Sequence, residues 1–201
     1  MKHVLIIESS ISGKNGQSTQ LLDAFTKSLP ADISIDRIDL QQHPLPHLDG
    51  SEIAAWMTPE DERTAEQQAL ASQSDQLIER VKQADAIVLG VPMYNFGVPS
   101  QLKALFDRIA RAGLTFKYTE HGPVGLLENK PVVIFATRGG IYQGTGADNQ
   151  TPYLEQFFQF IGLSEQYFIY AEGLNMGEET AEKAFSAAKQ RIVELTEQLA
   201  A

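Results

Sequence analysis

The sequence predicts a three-layer α/β fold: a five-stranded parallel sheet of order 2-1-3-4-5 with helices on both faces, formed by residues 1–201 as one domain. Five short runs rich in Val, Ile, Leu and aromatic residues alternate with stretches whose apolar residues recur at helical spacing. The third and fourth runs, Ala86 to Val91 and Pro131 to Ala136, are apolar almost throughout, as strands buried on both faces of a parallel sheet are. No internal repeat or low-complexity tract interrupts the alternation.

Val4 to Glu8 is the first strand, and it feeds Ser9 to Gly16, a polar loop of Ser, Gly, Lys and Asn. From Ser18 the period lengthens: Leu21, Leu22, Phe25 and Leu29 share one helix face, and Pro30 stops that helix. Ile33, Ile35 and Ile38 mark a second strand whose other face is polar, which suits a sheet edge. Gln41 to Gly50 has two prolines and no helical period, and the long polar helix after it turns Leu70, Leu77, Ile78 and Val81 inward. The third strand ends in a loop, Pro92 to Gly97. A helix then opens at Pro99 with Leu102, Leu105, Phe106 and Ile109 as its stripe, Arg108 and Arg111 near its negative end, and Gly113 beyond. The fourth strand runs into Thr137-Arg138-Gly139-Gly140. Pro152 opens a helix with Leu154, Phe157, Phe158 and Ile161 inward, which Gly162 ends. Tyr167 to Tyr170 is the fifth strand, and Ala181, Ala184, Phe185, Ala188, Ile192, Leu195 and Leu199 trace the last helix.

Sixteen Lys and Arg against 26 Asp and Glu leave a net charge of −10, which repels nucleic acid. A helix start can still bind a polyanionic cofactor through its own N–H groups. The absence of cysteine excludes disulfides, thiolate metal sites and a cysteine nucleophile. The apolar run before Glu8 is too short to cross a bilayer and does not read as a signal peptide, so a cytoplasmic protein without a membrane partner is expected. His43 and His47 have zinc-like spacing, but Pro44 and Pro46 prevent the helix it needs, so no metal is expected, and His121 reads as another loop residue. Trp56 packs on the core or rims the pocket.

In such sheets ligands bind beyond the carboxyl ends of the strands, near the switch point between strands 1 and 3. Three loops meet there. Ser9 to Ser18 combines hydroxyls, glycines and a helix start, a setting for a phosphate, although neither a Walker loop nor a G-x-G-x-x-G fingerprint is present. An ordinary turn with Ser18 as helix cap is the plainer reading. Met93, Tyr94 and Phe96 are large apolar side chains in a loop, where a flat ring would cover them, with Asn95 to bond its edge. Gly139 and Gly140 allow backbone N–H groups to approach a ligand closely.

These loops resemble the flavin-binding signature of the FMN-dependent NADH azoreductases, the flavodoxin-like quinone reductases. The likeness extends to Arg111 through Glu120 and to Ala171-Glu172-Gly173. It implies that Ser10, Gly16, Gln17 and Ser18 hold the FMN phosphate, and that Met93, Tyr94, Asn95 and Phe96 with Thr137, Arg138, Gly139 and Gly140 hold the isoalloxazine. It further implies a homodimer with a flavin at each shared cleft, where Tyr118 and Phe160 line the substrate side across the interface. Gly16 and Thr137 depart from the serines common in the family at both positions. The expected enzyme takes electrons from NADH or NADPH and reduces quinones or aromatic azo compounds by ping-pong turnover. FMN carries the chemistry, and no catalytic side chain is required. Gly139 and Gly140, aided by Arg138, would stabilise negative charge on the reduced ring. The alternative is a flavodoxin-type electron carrier or flavin-binding regulator, which would be a monomer.

Overall fold

The structure is a computed structural model and describes residues 1–200. The strands β1 (His3–Glu8), β2 (Ser34–Asp39), β3 (Ala86–Pro92), β6 (Val132–Thr137) and β7 (Gln166–Ala171) form one parallel sheet of order β2-β1-β3-β6-β7. Counted within that sheet, this is the expected 2-1-3-4-5 sequence. The hairpin β4 (Phe116–Thr119) with β5 (Gly122–Gly125), inserted before the fourth sheet strand, was not expected. The helices are α1 (Gln17–Ser28), α2 (Gly50–Met57), α3 (Ala65–Gln83), α4 (Ser100–Ile109), α5 (Gln150–Ile161) and α6 (Glu178–Ala200).

The sheet divides the core in two. On one face Leu5, Ile7, Leu89 and Ile134 pack against Leu77, Ile78, Phe106 and Phe158. On the other, Val4, Ile6, Val88 and Phe135 meet Leu21, Leu22, Phe25, Ile192 and Leu195. Alternate residues of one strand thus serve opposite layers, and each fully buried Leu, Ile or Phe contributes roughly 1.5–3 kcal/mol. β3 and β6 are buried at every position, as their composition predicts. β2 is the half-exposed edge, with Arg80 of α3 clasping Asp36 through two bonds of 2.7 and 2.8 Å.

Three local differences from the sequence reading have physical causes. α2 lies where no helix was expected. Asp49 caps it by accepting from the Ser51 and Glu52 N–H groups, and its inward residues are Ala55 and a carboxylate, Glu52. Glu52 is buried because Arg108 of α4 donates to it at 2.6 Å. α5 begins at Gln150 rather than at Pro152, and Gly162 ends it in the left-handed conformation (φ 105°). Pro99 precedes the first residue of α4 instead of opening it from inside. Trp56 sits on α2 with the Arg111 guanidinium 4.6 Å above its ring. No described helix is long and apolar enough to cross a membrane.

Candidate functional site

The sheet register pairs Glu8 with Gly90, Pro92 with Thr137 and Thr137 with Ala171, so the loops after β1, β3, β6 and β7 leave from one rim. There they enclose two adjoining recesses of about 400 and 300 Å3 that share Met93, Gly139 and Asn175.

Ser10, Ser12, Asn15, Gly16 and Gln17 line the larger recess at one end. α1 starts there without a side-chain cap: Gly16 precedes it, and the first intrahelical donor is Gln20 N–H to Gly16 O. The N–H groups of Gln17, Ser18 and Thr19 therefore bond nothing within the helix, the arrangement that attracts an anion. Ser18 does not cap the helix. Its hydroxyl is buried and has no partner within the described residues. Gly16 is needed for space, since a Cβ on it would overlap the Ser10 hydroxyl. That hydroxyl accepts from Ser12 N–H at 3.3 Å and lies 3.4 Å from Tyr94 Oη.

Tyr94 joins the first loop to the second, because its Oη also accepts from Ile11 N–H at 3.3 Å. Tyr94 and Gly97 bond each other's main chain at 3.2 and 3.0 Å around a tight turn. The turn holds Asn95 at φ 49° and Phe96 at φ 65°, the only non-glycine residues with positive φ among those described. Asn tolerates that region, whereas a Phe there stores strain of about 1–2 kcal/mol. Phe96 is half exposed and meets Tyr142 edge-on at 5.7 Å.

The third loop ties its carbonyls to the segment that follows β7. Arg138, Gly139 and Gly140 O accept from the N–H groups of Leu174, Asn175 and Gly173 at 3.1, 3.0 and 2.9 Å. In a trans peptide N–H and C=O point in opposite directions, so the Gly139, Gly140 and Ile141 N–H groups face away from that contact. None of the three donates a hydrogen bond within the described residues. A Cβ at Gly139 would stand 2.5 Å from Asn175 Nδ2. The Arg138 side chain is fully buried and paired with Asp148 and Glu172.

The structure thus gathers Ser10, Gly16, Gln17, Met93, Tyr94, Asn95, Phe96, Thr137, Arg138, Gly139 and Gly140 around the two recesses. Ser18 stands just behind, on the first turn of α1. Tyr118 and Phe160 are brought together by Phe116, whose ring is 5.7 Å from Tyr118 and 4.3 Å from Phe160, but neither lines the recesses of its own chain. Phe160 instead borders an apolar hollow of about 330 Å3 with Tyr153, Gln156 and Phe157. Ser12 and Asn15 lie within the Ser9 to Ser18 loop without having been singled out, while Tyr142 and Asn175 lie outside the three loops identified from the sequence. The position of Asn175, four residues past the fifth sheet strand, is a signal that could have found it. A cavity of about 420 Å3 among Trp56, Arg63, Asp75, Lys82 and Arg111 shares no residue with this rim.

A family model described as the flavodoxin-like fold matches residues 2–196. An FMN-dependent NADH:quinone oxidoreductase of Alteromonas mediterranea is 57% identical over 198 residues, 98% of this chain and 99% of that protein. Its counterpart in Alcanivorax borkumensis is 50% identical, covering 96% of this chain and 100% of that protein. Among solved structures, an FMN-dependent NADH-azoreductase from Bacillus anthracis in complex with FMN superposes with a TM-score of 0.86 at 26% identity, covering 98% of this chain and 100% of that one. The fold, the four-loop rim and this likeness along the whole chain agree: the chain belongs to the family of FMN-dependent NADH:quinone oxidoreductases within the flavodoxin-like fold.

Proposed function

We propose that this chain, acting as one domain over residues 1–201, is an FMN-dependent NADH:quinone oxidoreductase that also cleaves aromatic azo compounds to amines. One observation carries the reading. A single rim offers an anion-seeking end, with uncapped α1 and a Ser18 hydroxyl that has no partner among the described residues, continuous with an end walled by Met93, Asn95, Phe96 and Tyr142 and lined by Gly139 and Gly140, whose N–H groups donate to none of those residues. Those two ends fit a phosphorylated flat ring.

Bound FMN would supply the two-electron chemistry between NADH and the acceptor. The chain's own residues bind and orient. Ser10, Gly16, Gln17 and Ser18 hold the phosphate, while Met93 to Phe96 and Thr137 to Gly140 hold the ring. The Gly139 and Gly140 N–H dipoles favour negative charge at the ring edge they face. Donor and acceptor would use the same open face in turn.

A second copy of the chain completes the substrate side in this reading. Tyr118 is 74% exposed on its hairpin, and Phe160, partly buried against Phe116, borders an apolar hollow, so both lie on a surface that a neighbouring subunit's cleft could meet. The soluble nicotinamide donor suits a cytoplasmic enzyme. Purified protein should be yellow, release FMN on denaturation and oxidise NADH when menadione or an azo dye is supplied. Protein that takes up no FMN sinks the reading, and FMN-loaded protein inert towards both acceptors would be a carrier instead.

A further inference from the structure

Arg138 is the most heavily bonded side chain at the rim, and it makes no use of the recess. All five of its N–H donors are engaged within the described residues: Nε with Gln150 Oε1 at 3.3 Å, Nη1 with Asp148 Oδ2 and Glu172 Oε1 at 3.0 Å each, and Nη2 with Asp148 Oδ1 at 3.0 Å and Thr151 Oγ1 at 2.8 Å. The Tyr170 ring lies 5.0 Å from its central carbon. Two of these partners, Glu172 and Gln150, bond onward to loops of the rim. Glu172 Oε1 also accepts from the Tyr142 and Gln143 N–H groups at 2.9 Å, which fixes the chain just after Gly140. Gln150 Nε2 donates to Pro92 O and Gly97 O at 3.2 and 3.1 Å, the two ends of the Met93 loop. Glu172 itself precedes the segment whose N–H groups hold the carbonyls of Arg138, Gly139 and Gly140.

We propose that Arg138 is a positioning residue: through Asp148, Glu172 and Gln150 it fixes the Gly139 and Gly140 N–H groups against the flavin ring and thereby sets the potential at which the flavin is reduced. This rests on the FMN reading above. A planar fork with five donors can hold three loops in one register, whereas a lysine ammonium supplies the same charge without that geometry. The donors gain most where the reduced ring carries negative charge, so loosening them costs the reduced form more affinity than the oxidised form.

The test compares holoenzymes carrying Arg138→Lys and Glu172→Ala with wild type, measuring the flavin's two-electron potential and the dissociation constants of FMN and of riboflavin, which lacks the phosphate. Positioning requires both variants to shift the potential to more negative values. It also requires FMN and riboflavin to weaken by the same factor, about tenfold, the scale of one charge-assisted hydrogen bond. A role through charge alone makes the opposite forecast: Arg138→Lys would match wild type, and Glu172→Ala, by deleting an anion, would shift the potential to more positive values. Either result overturns the proposal, as does weakened binding at unchanged potential. Glu172 is the less buried of the two, so its variant keeps the test open should Arg138→Lys not fold. Wild-type protein that binds no FMN would defeat the functional reading instead, before any variant is compared.

Discussion

Ser18→Ala should have opposite effects on the empty and the loaded protein. Ser18 occupies the second position of α1, is 1% exposed, and its hydroxyl has no partner within the described residues. A buried hydroxyl without a partner costs about 1–3 kcal/mol, so its removal should leave the flavin-free protein as stable as before or more stable by up to about 1 kcal/mol. With FMN bound, the same hydroxyl would donate to a phosphate dianion, a charged hydrogen bond of about 1.5–3 kcal/mol, equivalent to about 10- to 150-fold in dissociation constant. Riboflavin has no phosphate, so its affinity should not change. Flavin fluorescence titrations with FMN and riboflavin, beside urea unfolding of the flavin-free protein, measure all three quantities. FMN affinity equal to wild type, or a parallel loss for riboflavin, would refute the assignment of the α1 start to the phosphate.

Arg108→Met should cost about 3–5 kcal/mol in urea unfolding, because it strands the buried Glu52 carboxylate, and adding Glu52→Leu should restore most of it; a single variant losing under about 1 kcal/mol would contradict this. Phe96→Asn should be more stable than Phe96→Val by at least about 1 kcal/mol, since Asn tolerates the φ of 65° found there and a β-branched residue does not; equal urea midpoints would count against strain in the turn. The Arg80 guanidinium holds the Asp36 carboxyl below the ordinary carboxylate range. At Asp148 burial acts to raise the pKa, but bonds from Thr151 and Arg138 outweigh it and leave the group lowered too. Depressed carboxyls contribute their full stability above their unfolded pKa and lose it as pH falls through the folded value, so the thermal midpoint should drop below about pH 4, and less steeply in Asp36→Asn. A midpoint in that variant with the wild-type acid dependence would rule out Asp36 as a source.

The parallel sheet was legible because β3 and β6 are buried on both faces, and their short runs, rich in Val and Ile and bounded by turn residues, suit strands better than helices. α2 was hidden because its helix is eight residues long and its inward anchor is Glu52, a residue type that normally marks a solvated face. The β4–β5 hairpin was hidden for a related reason: Tyr118, Val124 and their neighbours face outward, so no alternation of buried and exposed residues marks its strands. At the rim, residue types indicated which loops meet but not which way a side chain turns. Arg138 follows a strand and precedes two glycines, a position that suggests contact with a ligand, yet Asp148 and Glu172, 10 and 34 residues further on, draw its guanidinium into the core. Long-range pairing of this kind has no local signature.

The rim takes lining residues from Ser10 to Asn175, spread over four strand ends. No contiguous fragment carries it, and it exists only once β1, β3, β6 and β7 have assembled. Cofactor occupancy is therefore a folding ligand for the whole chain, adding about 2.7 kcal/mol when free FMN stands at a hundred times its dissociation constant. In a cell short of the vitamin precursor, the polypeptide would lose that reserve together with its redox power and become more open to proteolysis.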